Sequence, residues 1–253
     1  MTTPLGQFPK PQAEQYQQKR KLFLVPTFAF APGVPDEGQT LLDRYWTEVR
    51  DNIGSLERSL GAVSHVYYET LYSGGDEGLQ MLGGLNPKAH SFVQALCQST
   101  AKLEATEDRA LVEESSDWQR CVSIGLVSQK VINLAWESLQ EATTSRYERI
   151  ASKIDETLGE GDAGALFIRE DHRVQFPSDI QVFYVAPPAL DALKRWIDDQ
   201  VRAMPQPVQQ QEPRESDSQE ASPAEPEAEG SGQGPDQPSA EPQGPEDPAP
   251  DTR

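Results

Sequence analysis

Between Gly38 and Leu60 apolar residues recur every three or four positions: Leu41, Leu42, Tyr45, Val49, Ile53, Leu56 and Leu60. This spacing predicts a helix with one buried face, closed by Gly61 at the left-handed position past its end. The short apolar runs on either side, Lys21–Val25 and Ala62–Glu69, read as strands. Strand, helix and strand within about 50 residues predict a right-handed βαβ unit with parallel strands. Asn86-Pro87 forms a cap and first-turn pair for a helix carrying Phe92, Val93, Leu96, Cys97 and Leu103. Ala110 to Glu114 fits a strand or a loop, and Ser116 or Asp117 could cap a helix containing Trp118, Cys121 and Val122.

Past Gly125 a helical period runs through Val131, Ala135, Leu139, Ala142, Tyr147, Ile150, Ile154 and Leu158. It predicts one long helix over about 128–158, ended by Gly159 and Gly161 and some 40 Å long. Ala163–Ile168 and Ile180–Val185 read as strands, with Val174-Gln175-Phe176 able to pair back as a hairpin. Pro187-Pro188 opens a last helix with Leu190, Leu193, Ile197 and Val201 inward. The predicted fold class is α/β, a small, mostly parallel or mixed sheet with helices packed on it.

Composition divides the 253 residues into three stretches. Residues 1–20 are rich in Gln and Pro and predict a flexible arm; residues 21–204 supply the globular domain. Residues 205–253 hold 11 Pro and 12 Asp or Glu, with Val208 the only branched aliphatic, and carry −10 of the net charge of −19. Such a stretch buries too little apolar surface to offset backbone ordering, about 1–2 kcal/mol per residue, and predicts a disordered acidic tail. It would serve as an interaction arm for a basic partner or as a solubilising extension.

The strongly acidic balance opposes a nucleic-acid binder, which needs a basic surface to release counterions. No apolar run reaches the roughly 18 residues of a membrane span. Lys19 to Ala31 imitates a secretory signal, with basic residues, an apolar run and Ala29-Phe30-Ala31. Pro26 within the run and the long polar leader favour a buried strand instead, in a cytoplasmic chain with Cys97 and Cys121 reduced.

The sequence holds no phosphate-binding loop, no dinucleotide fingerprint and no nucleophile elbow. It has no Cys-x-x-Cys and no His-Glu-x-x-His, and three distant histidines, His65, His90 and His172; no metal and no cofactor is expected. Cys97 and Cys121 sit among apolar neighbours, as core cysteines do. Glu104, Glu107, Asp108, Glu113, Glu114 and Asp117 fall within fourteen residues. Such a cluster either gathers on a divalent cation or forms a solvated acidic loop.

Ligands of open parallel sheets bind outside the carboxyl ends of the strands. Two loops there carry candidate ligand-binding residues: Ser73, Gly74, Gly75, Asp76 and Glu77 in one, Arg169 and Arg173 in the other. Paired glycines permit close approach of a ligand to the backbone; arginines anchor anions. His172 is the candidate acid or base. Ile154 to Asp171, with Ile154-Asp155-Glu156-Thr157-Leu158 leading into Ala165-Leu166-Phe167-Ile168, resembles the third domain of the class I release factors of archaea and eukaryotes. The resemblance spans fewer than twenty residues, and the release motif Gly-Gly-Gln is absent, so no residue role carries over.

Three functions stay open on this reading. The first is a non-enzymatic interaction or regulatory module with a protein partner. The second is an enzyme or binding protein for an anionic small molecule at loops 69–78 and 169–173. The third, implied by the resemblance and opposed by the charge, is a translation-linked or RNA-binding protein.

Overall fold

The structure, a computed structural model, describes residues 13–28, 30 and 33–203. Most of the arm and the whole acidic tail assigned from composition lie outside the described residues. The chain divides into a unit Met1–Pro205 and a unit Gln206–Arg253; the fold below is that of the first.

Among the described residues five strands form one sheet: β1 (Arg20–Pro26), β2 (Val63–Tyr68), β3 (Lys102–Leu103), β4 (Ala163–Ile168) and β5 (Ile180–Tyr184). Their order is β3-β2-β4-β1-β5, and every pairing is parallel. Among the described residues six α-helices accompany them, after a short 3-10 helix at Ala13–Tyr16: α1 (Asp36–Leu60), α2 (Gly75–Leu85), α3 (Pro87–Ser99), α4 (Arg109–Ser123), α5 (Gln129–Thr157) and α6 (Pro188–Ala203). The predicted α/β class is therefore observed, with an all-parallel sheet and a 29-residue α5. Among the described residues no helix is long and apolar enough to cross a membrane.

Strand alternation sorts the core into two layers. Phe23, Val25, Val66, Tyr68, Ala165 and Phe167 point to the face covered by α1, α3 and α6. Leu22, Leu24, Tyr67, Leu166 and Ile168 point to the other face, where Tyr147, Ile150 and Ile154 of α5 meet them. Within the stretch that imitates a secretory signal, Arg20–Pro26 forms strand β1, buried from Lys21 onward. All six residues of β4 are buried, as befits a central parallel strand. Gly164 fits there because a Cβ would come within 3.1–3.3 Å of Tyr67, Leu158 and Leu22.

The chain reverses direction in the middle. From β1 through β2 to β3 it moves toward one edge, with its helices on one face. From β3 through β4 to β5 it moves back, with α5, Val174 and Phe176 on the other face. A constant right-handed crossover requires that change of face when direction reverses.

Several expectations need correction. Residues 110–114 belong to helix α4, neither strand nor loop. Its cap is Asp108, whose Oδ1 accepts from the backbone N–H of Ala110 at 2.8 Å and of Leu111 at 3.3 Å, not Ser116 or Asp117. Leu103 leaves the preceding helix for the short strand β3. Val174-Gln175-Phe176 forms no hairpin; β5 crosses over to pair with β1. Tyr16, inside the predicted arm, packs edge-on against Phe183 at 5.4 Å between ring centroids. Its carbonyl and that of Gln17 accept from the buried Lys21 ammonium.

Candidate functional site

The carboxyl edge of the sheet between β2 and β4 is where the connections part. The chain leaves β2 toward β3 and leaves β4 toward β5. Such switch points open a crevice in parallel sheets. Here the crevice is filled by Glu69 just past β2, Arg169 just past β4, Glu107 after β3 and Arg146 of α5.

Arg146 forks onto Glu107, with Nε at 2.6 Å from Oε2 and Nη2 at 2.8 Å from Oε1. Its Nη1 donates to Ser115 Oγ of α4 at 3.3 Å, and Nη2 stands 3.6 Å from Glu69 Oε1. Glu69 takes two bonds from Arg169, from Nε at 2.7 Å and from the backbone N–H at 2.9 Å. Glu107 Oε1 also accepts the Thr70 N–H at 2.6 Å. Thr70 has φ +75°, the left-handed region that costs a β-branched residue roughly 1–2 kcal/mol. The turn after β2 is thus held against its own preference by the buried Glu107 carboxylate.

Glu69, Glu107 and Arg146 are all buried. Burial alone would lower the pKa of Arg146, but its bond and charge interaction with Glu107 raise it above the ordinary arginine value. Arg169 is raised as well, burial being outweighed by the charge of Glu69. The four charges sum to zero, with Arg169 partly in solvent, and the bidentate Arg146–Glu107 geometry makes the buried three tolerable.

Beside this cluster, on the α5 face, lies a groove of about 770 Å³. One wall is α5, with Trp136, Leu139, Thr143 and Tyr147; the other is the segment after β4, with Arg169, Asp171, Arg173 and Gln175. Of the predicted candidates, Arg169 and Arg173 therefore share one concavity. Ser73, Gly74, Gly75, Asp76 and Glu77 do not line it. Gly74 caps α2, and Gly75, Asp76 and Glu77 form its exposed first turn. A Cβ on Gly74 would come within 2.7 Å of the Leu103 carbonyl oxygen, so the close approach this glycine permits is to the protein's own backbone. Asp76 and Glu77 sit at the positive end of α2, which suits carboxylates and leaves less for an anionic ligand.

His172 lies in the same segment as the two arginines, outside the groove lining. Its Nδ1 accepts the Val174 N–H at 3.2 Å, which places the ring proton on Nε2, and the ring packs edge-on against Phe176. Burial lowers its pKa from the ordinary histidine value despite the charges of Glu69 and Asp171. A neutral, half-buried ring locked to its own loop is suited to fixing the loop.

The acidic stretch divides. Glu104 and Glu107 are buried, contrary to a solvated loop, while Glu113, Glu114 and Asp117 are exposed on α4. Among the described residues no three His, Cys, Asp or Glu side chains converge to hold a metal ion. Glu104 accepts from His65 Nδ1 at 3.0 Å and from Lys102 Nζ at 3.2 Å on Oε2. Burial pushes its carboxyl up, but the Lys102 and His65 bonds outweigh that and hold it below the usual carboxylate range. Native protein therefore binds its proton less readily than unfolded chain does. The stabilisation is present above about pH 4.5 and is lost as pH falls through the lower native value. Thermal melts should show Glu104→Gln less stable than wild type at pH 7 and the gap closing by pH 3; a gap independent of pH would exclude this. Cys97 is half-buried, and burial pushes its thiol up, away from the thiolate a nucleophile needs.

Sequence reasoning missed Arg146, although it sits four residues from both Ala142 and Ile150 on the buried stripe of α5. A charge on an apolar stripe is the signal that could have found it. Comparison of the chain with protein-family models, with curated proteins and with solved structures finds no match.

Proposed function

We propose that the protein is a non-enzymatic interaction module whose docking surface is the hairpin of α4 and α5. The observation that carries this is the apolar surface left open at the hairpin's turn. Val127 is 95% exposed, Ile124 73% and Leu134 56%, with Val131 also exposed beside them. These four lie within eleven consecutive residues around Gly125, which turns the chain at φ +76°. Single exposed hydrophobics need no explanation, but a cluster at the end of a helical hairpin has the character of a contact surface.

The rest of the hairpin supports a projecting role. Ala135, Leu139 and Ala142 of α5 are buried but belong to neither sheet layer. α5 packs along α4, whose single buried residue is Ser115. The exposed carboxylates Glu114, Glu137 and Glu141 make no ion pair among the described residues. The partner that fits is a protein surface with an apolar centre and a rim of lysine or arginine.

A triple variant, Ile124→Ser, Val127→Ser and Leu134→Ser, tests the proposal. Partner capture by the full chain should fall about 10- to 100-fold, the loss of a central apolar contact at an interface. Cross-links through Lys130, at the start of α5, should map to the same partner. Capture unchanged by the triple variant would end the proposal, and concentration-dependent sedimentation of the wild type alone would replace the partner with a second copy of the chain.

A further inference from the structure

We propose that the groove between α5 and residues 169–175 binds a nucleoside monophosphate or a close chemical equivalent, a flat ring joined through hydroxyl-bearing atoms to one anionic group. The inference is independent of the hairpin surface. It begins with position: the groove opens at the carboxyl edge of a parallel sheet, beside the point where successive connections part, the place where such sheets take ligands. Its volume of about 770 Å³ falls within the range of about 300–1,000 Å³ typical of small-molecule sites.

The two walls differ in chemistry. Trp136, Leu139, Tyr147 and Ala151 line the α5 wall; Leu139 and Tyr147 are buried, and the half-exposed Trp136 is its accessible aromatic surface. An aromatic ring of a ligand gains most by stacking on such a surface. The opposite wall carries Arg169 and Arg173. Arg169 is oriented by its Nε and backbone bonds to Glu69, which leave both Nη groups without a protein acceptor among the described residues. The Arg173 guanidinium makes no hydrogen bond or ion pair among the described residues. Two arginine forks with free donors are the side chains that recognise phosphate or carboxylate in a bidentate manner.

The remaining lining narrows the class. Thr143, Thr144, Gln140 and Gln175 supply neutral hydrogen-bonding groups, and Glu148 and Asp171 supply carboxylates. Carboxylates in an anion site suit a ligand that also has hydroxyl or amine donors, as a ribose and a base have. They oppose a polyanion, whose further phosphates would pass against them. A mononucleotide therefore matches the groove better than a nucleic-acid strand does.

Calorimetric titration of the full chain with the four common nucleoside 5′-monophosphates tests this. At least one should bind saturably, with adenosine-type nucleosides and inorganic phosphate each binding at least about tenfold more weakly. Arg173→Ala and Trp136→Ala, both surface changes, should each weaken binding about tenfold or more, while the hairpin triple variant binds as wild type. The proposal is overturned if no monophosphate saturates, if Arg173→Ala binds unchanged, or if a single-stranded oligonucleotide binds more tightly than every mononucleotide. Loss of nucleotide binding in the hairpin variant would also overturn it. Partner capture that survives any of these results leaves the hairpin reading intact.

Discussion

Arg146→Met is expected to destabilise the protein by about 3–5 kcal/mol, the cost of leaving a buried carboxylate without its counterion. Glu107 has no exposed side-chain surface and would keep only the Thr70 N–H as a donor. Glu69 would fare better, because both of its bonds come from Arg169. The asymmetry makes the prediction specific. Arg146→Lys should recover part of the loss, since an ammonium restores the charge but cannot fork onto both Glu107 oxygens. The double change Arg146→Met with Glu107→Leu should be markedly more stable than Arg146→Met alone, because hydrophobic replacements of a buried pair are often close to neutral. It should still fall short of wild type by about 1 kcal/mol, for Thr70 would lose the acceptor of its N–H. Denaturant melts of the four proteins decide the matter. If Arg146→Met costs less than about 1 kcal/mol, the cluster is not the fastening described above.

That cluster also marks the boundary of what the residues reveal before folding. Periodicity located the helices around Tyr45 and Ile150 and the strands around Phe23 and Leu166, because one face of each is buried in a layered core and the pattern records that burial. It failed at Ala110–Glu114, the start of α4, a helix whose one buried residue is the polar Ser115. Leu111 and Val112 are only partly buried, and Asp108 rather than Ser116 supplies the acceptor at the helix start. Strand order was not legible either. The insertion of β4 between β1 and β2 depends on crossovers, and no local pattern encodes it.

The candidate site was legible in part for the same reason. Arg169 and Arg173 could be placed at a strand's carboxyl end, since the strand itself was readable. Their partner wall could not, because Trp136 and Tyr147 reach the groove only through the path of α5 from α4 to the sheet. Gly74 and Gly75 show the converse. Glycine pairs invite a ligand in the abstract, yet the Leu103 carbonyl already occupies the space that Gly74 leaves. Identical local chemistry thus serves recognition or packing according to which neighbour the topology brings.

Phe167→Ala is expected to cost about 3–5 kcal/mol, and it supplies the control that the functional tests need. Phe167 is fully buried in β4 and touches a ring on three elements: Trp46 of α1, Tyr68 of β2 and Phe92 of α3, with centroids 5.9–6.4 Å apart across the cluster. Truncation would open a cavity that the rigid sheet below cannot close, and for a unit of this size the melting temperature should fall by roughly 6–20 °C. The lesion lies on the α1 and α3 face, opposite α5. Its neighbours in β4, Leu166 and Ile168, point to the α5 face and keep their packing. Below its melting temperature the variant should therefore bind groove ligand and hairpin partner as wild type does, despite losing as much stability as Arg146→Met. A binding defect in Phe167→Ala equal to that of Arg173→Ala would mean that both assays report global stability. A preserved affinity would separate the groove and the hairpin from the core that carries them.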